Sequence, residues 1–257
     1  MRTRQTKRNR LRKSKYNFVS HNLNNFNDAT ENWLFFEVGE IGDDWGQTSG
    51  YVGNSANSIL PDAYTIVIDN DLNQNGSNLA IMATLAHELI HAYMFDTLSD
   101  AGVITFDQNT GVPKLNVICQ DGTNYNNLNL NTLSTSERFA ALICAMEASN
   151  TLTPQWSHDL FNENVFSVTT YQQQLADFIF ENHDWNSEDF DFKNDMISYF
   201  GSNWKLKTAE ACSWIGLTDT TEYSSYRDSI TNPMIKTGLI QLAEYRNFVN
   251  DANFNCN

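Results

Sequence analysis

The sequence predicts an α+β fold, mainly helical, with a small β-sheet next to one helix that carries an HExxH pattern. Three observations predict it. The β-branched run Tyr64-Thr65-Ile66-Val67-Ile68-Asp69 reads as a strand, the apolar residues from Asn78 to Leu98 keep a helical period, and six further helical patterns follow Ser134. No Pro/Gly/Ser-rich linker separates these elements, so residues 16–257 read as a single domain behind a basic tail, residues 1–15.

The elements follow in order. Trp33 to Val38 reads as a strand, and the glycine-punctuated segment from Gly42 to Asn54 is expected to turn repeatedly. The strand at Tyr64 to Asp69 ends in an Asn/Asp/Gly cluster. A helix from Asn78 to Leu98 follows, with Ser77 or Asn78 as N-cap and Leu79, Met82, Leu85, Leu89, Ile90 and Met94 among its spaced apolar residues. Ala101 to Asn131 is polar and turn-rich, a surface excursion with one short strand at Leu115 to Ile118. Helices are then expected at Ser134 to Ala148, Thr153 to Phe166, Thr170 to His183, Phe192 to Phe200, Lys205 to Leu217 and Met234 to Val249.

A net charge of -15 hides an asymmetry, because eight of the sixteen Lys and Arg residues lie between Arg2 and Lys15. The rest of the chain is acidic and should repel nucleic acid and anionic membranes, so nucleic-acid contact is expected only through the basic tail. That tail otherwise reads as a solvated, disordered arm. The basic start is not followed by an apolar stretch with a cleavage site, and no run of about 18 apolar residues occurs, so a cytoplasmic chain without membrane contact is expected. Cys119, Cys144, Cys212 and Cys256 form no CxxC pair and are expected as four idle or buried thiols. Were the chain exported, two disulfides would be possible.

Chemistry concentrates in Ala86-His87-Glu88-Leu89-Ile90-His91-Ala92. Residues four apart on a helix share a face, so the imidazoles of His87 and His91 can meet one zinc ion at about 2.0–2.1 Å. Glu88, one step round, is placed to take a proton from a water on that ion. A catalytic zinc needs a third protein ligand and an open position. His158 is the first choice, because it shares a helical stripe with Phe161 and Val165. His183, on a stripe with Tyr171, Leu175 and Ile179, stays open, as do Glu137 and Glu147. His21 reads as an exposed histidine in a polar loop. Asp71 to Gly76 resembles the first half of a calcium loop, but the twelfth position is Met82 and the eighth Asn78, so an Asx-rich turn is expected. No phosphate loop, GxSxG elbow or Cys/His nucleophile pair is visible.

Thr84-Leu85-Ala86-His87-Glu88-Leu89-Ile90-His91-Ala92-Tyr93 resembles the active-site helix of the SprT-like zinc metallopeptidases, with the local match running from about Tyr64 to Leu98. Ala211 to Leu217 followed by Thr220 is faintly similar to the C-terminal region of some bacterial members. The metzincin continuation is absent, since Met94 and Thr97 stand where its Gly and His would be. The resemblance implies a zincin-like domain and an endopeptidase acting on peptide or protein substrates. It also implies a later histidine followed by an apolar residue as third ligand, a role that His158 with Phe161 could fill. Tyr64 to Asp69 is the expected place for an extended peptide to add as a strand. The rival expectation is a non-catalytic zinc-containing interaction protein.

Overall fold

A computed structural model of the chain describes residues 33–42, 44–52, 59–134, 137–138, 140–141, 144–145, 169–218 and 221–244. The basic tail, the segment predicted as a helix from Thr153 to Phe166, and with them His21, Glu147, His158 and Cys256, lie outside the described residues.

Three strands form a mixed sheet: β1, Trp33–Gly39, β2, Gly46–Val52, and β3, Ile59–Asp69. Their order is β1-β3-β2, with β1 parallel to β3 (Leu34 opposite Tyr64, Val38 opposite Ile68) and β2 antiparallel to it (Gly46 opposite Ile68, Thr48 opposite Ile66). Two expectations fall here. The segment from Gly42 to Asn54 holds a strand rather than successive turns, because its glycines serve close packing. A Cβ on Gly46 would lie 2.7 Å from the Glu88 side chain, and one on Gly50 2.6 Å from the Phe106 ring. And β3 is the central strand, flanked on both sides, so Tyr64 to Asp69 has no open edge for a peptide.

The Asp69 carboxylate accepts from the Asp71 and Leu72 amides and so caps a short helix, α1, Asn70–Asn75. This helix replaces the expected Asx-rich turn. Helix α2, Asn78–Asp100, then starts on Ser77, whose hydroxyl accepts from the Ala80 amide. Buried residues occupy nearly every face of α2, including Leu79, Ala83, Ala86, Leu89, Ile90 and Leu98. The reason is its position between two layers: β2 and β3 cover one side, α3 and α5 the other. Alanines at 80, 83, 86 and 92 let these neighbours approach closely.

The excursion forms a hairpin of β4, Ile104–Phe106, and β5, Pro113–Leu115, so the predicted strand begins two residues earlier and stops at Leu115. Cys119 is joined to Cys144 in a disulfide, which overturns the expectation of four thiols and ties the excursion to the following helical segment. Helices α3, Thr169–Asn182, α4, Phe190–Phe200, α5, Trp204–Cys212, α6, Thr221–Ser229, and α7, Pro233–Ala243, build the second layer. Helix α5 stops at Cys212 rather than Leu217, and Gly216 takes φ +83° just beyond it. The α6 helix, rich in Ser and Tyr with little apolar periodicity, was not expected. The fold is α+β, and among the described residues no helix is long and apolar enough to cross a membrane.

Candidate metal centre

Helix α2 carries both histidines into one cavity of about 460 Å³. Its walls are Trp45, Gly46 and Thr48 from the β2 side, Leu130, Asn131 and Arg138 from the excursion and the helical segment after it, and Ile215 and Gly216 beyond α5. The Nε2 atoms of His87 and His91 stand 3.0 Å apart, with the rings inclined at 67°. A carboxylate oxygen of Glu88 joins them, all three donors lying within 4.8 Å of one another. Two ring nitrogens converging on one point beside a carboxylate fit a divalent cation, for which both rings must be neutral. His91 meets that condition: burial, and secondarily the Arg138 cation, lower it from 6.5 to about 4.

Glu88 is buried and its carboxylate is oriented from the sheet. The Thr48 hydroxyl lies 2.8 Å from Oε2 and 2.9 Å from the Glu88 carbonyl oxygen, so its proton is available to either. Gly46 leaves the space in which the rest of the side chain sits, since a Cβ there would come within 2.9 Å of Oε1. On the other side, a Cβ on Gly216 would lie 3.2 Å from His87 Cε1, so the loop backbone packs directly on the imidazole.

Among the described residues the only cluster of three metal-ligating groups is His87, Glu88 and His91. His183 is not part of it: it is buried at the end of α3, bonded through Nε2 to Glu188 and packed edge-on against Trp185. Glu137 is also engaged elsewhere, since its Oε2 accepts from the Ser134 amide at 2.8 Å and hydroxyl at 2.6 Å in a capping box that holds its carboxyl below the usual range. Both alternatives for the third ligand are therefore occupied in structural roles, whereas His158 and Glu147 lie outside the described residues. Thr48, Gly46, Gly216 and Arg138 were not singled out from the sequence. No sequence signal marked Gly46, because its segment carries the glycines and small polar residues of a turn.

Compared with known proteins, the chain matches no family model, no curated protein and no solved structure.

Proposed function

We propose that this chain is a zinc-dependent metallopeptidase in which His87 and His91 hold the ion and Glu88 is the general base. The observation that carries the proposal is the 3.0 Å approach of the two Nε2 atoms, with Glu88 beside them, at the wall of an open cavity. The likeness of Thr84 to Tyr93 to SprT-like active-site helices supports the same reading. A bound zinc ion would polarise a substrate carbonyl and acidify a water.

The chain's own part is proton handling and positioning. With Oε2 engaged by Thr48, the Glu88 Oε1 atom is the one that takes a proton from the attacking water and returns it to the leaving amine. Trp45 O accepts from the Asp69 amide on β3, whereas the Gly50 amide donates outward to Gly111 O. Antiparallel alternation then directs the main-chain groups of Gly46 and Thr48 outward, and among the described residues no strand pairs with that edge. An extended peptide could add there, beside the metal, in place of the β3 site expected from the sequence. His158 remains our choice of third ligand, and the Cys119–Cys144 disulfide favours an oxidising compartment over the cytoplasm.

Glu88→Gln tests the role of the base. The variant should retain zinc and lose cleavage of unfolded protein by a factor of about 100 or more, and full activity in it would remove Glu88 from the mechanism and favour a non-catalytic zinc protein.

A further inference from the structure

Arg138 is the one Lys or Arg side chain among the described residues that line the cavity. Its Nε donates to Leu133 O at 3.1 Å and its Nη2 to Asn131 O at 3.5 Å. Carbonyl oxygens fix the guanidinium plane without cancelling its charge. Four of the other described cations are matched by acids: Arg227 pairs with Asp228 and Glu244, Lys114 with Asp107, Lys207 with Glu210 and Lys236 with Asp228, whereas Lys193 donates to Asn186 O and Lys205 lies over the Trp204 ring, both away from the cavity. No such ion pair is found for Arg138 among the described residues, although the chain carries thirty-one Asp and Glu against sixteen Lys and Arg. The acids that share its cavity, Asp44 and Glu88, belong to the β2 side and to α2, whereas Arg138 is braced on the carbonyls of Leu133 and Asn131. A half-buried cation held by neutral groups at a cavity wall is poised for an anionic partner that arrives with the ligand.

We infer that Arg138 is a specificity residue: it receives a carboxylate of the peptide bound beside the metal, either an acidic side chain next to the scissile bond or the chain terminus. This rests on the metallopeptidase reading above. A guanidinium offers a carboxylate two parallel N–H donors, a geometry that an amide isostere cannot use in the same way.

The test is binding of peptidyl hydroxamates to the zinc-loaded full chain, in two matched pairs: C-terminal acid against C-terminal amide, and Glu against Gln within the peptide. The wild-type protein should bind the acid of at least one pair on the order of 10- to 100-fold more tightly than its partner, and the pair that shows the preference identifies the source of the carboxylate. In Arg138→Gln that ratio should fall to about one, and in Arg138→Lys it should be partly kept. Equal binding within both wild-type pairs, or a ratio unchanged in Arg138→Gln, overturns the assignment. The wild-type ratio needs no variant. If Gln at 138 prevents folding because the Asn131–Leu133 turn loses its brace, Arg138→Lys decides through the same ratio, and full retention of selectivity with altered melting would count against a direct contact. If no hydroxamate binds at all, the zinc reading itself fails and this inference falls with it. That result is distinct from tight but unselective binding, which overturns only the role of Arg138.

Discussion

The Thr48 hydroxyl sits 2.8 Å from Oε2 of Glu88, bridging the edge strand of the sheet to the helix that carries both histidines. Thr48 and Glu88 are forty residues apart in sequence, yet each is buried against the other. The contact fixes the carboxylate at the cavity wall while its neighbours on the helix, one residue back and three residues on, supply the imidazoles.

Thr48→Val removes that donor with little change of volume. A hydrogen bond to a buried carboxylate contributes about 1.5–3 kcal/mol, so turnover should fall by a factor of about ten or more through misplacement of Glu88. Zinc affinity should change much less. Parallel measurement of peptide cleavage and zinc titration checks this, and equal losses in both would assign Thr48 to general stability instead.

Gly46→Ala and Gly216→Ala should damage the centre from its two sides. At Gly46 the new methyl overlaps Glu88 and Thr84, each 2.7 Å away, and overpacking of this kind costs about 1–3 kcal/mol. At Gly216 the φ of +83° strains any L-residue, and the methyl meets the His87 ring at 3.2 Å. Urea unfolding should show a lower midpoint for both. Zinc titration should separate them, because only Gly216→Ala presses on a ring proposed as a zinc ligand.

Much of the helical layer was legible in the sequence, because α2, α3 and α4 announce themselves through spaced apolar residues and, for α2, the Ser77 cap. The grouping of His87, Glu88 and His91 was legible too, since a four-residue spacing on a helix is local geometry. Strand β2 was not legible. Its sequence, GQTSGYV, has the glycines and small polar residues of a turn, and only the tertiary contacts of Gly46 with Glu88 and Gly50 with Phe106 explain them. Helix α6 was hidden for the opposite reason: Thr221–Ser229 buries little beyond Tyr223, so no stripe marks it. The pairing of Cys119 with Cys144 depends on how the excursion folds back, which spacing alone does not encode.

The Cys119–Cys144 bridge closes a loop with a sequence separation of 25, for which chain entropy gives a stabilisation of roughly 3 kcal/mol. Reduction, or the paired Cys→Ser change, should lower the unfolding midpoint accordingly. Burial pushes the Cys212 thiol well above its usual range. In the native protein Cys212 should therefore resist alkylation and react only on unfolding, as peptide mapping by mass spectrometry can establish.

In the metal-free protein, His91 titrates at about 4 when folded and near 6.5 when unfolded. Between these values the unfolded chain holds the extra proton, so stability rises with pH across that window and is lost as pH falls through it, by up to about 3 kcal/mol. Unfolding curves at pH 4 to 7 should show this slope, and His91→Gln should flatten it.

Calorimetric titration of zinc into the metal-free chain, beside His87→Ala and His91→Ala, addresses joint capture of the ion most directly. The expected result is one ion per chain, with either substitution weakening binding by a factor of about 100 or more. An absence of stoichiometric binding to the wild-type chain, or binding that survives unchanged in either variant, would contradict it.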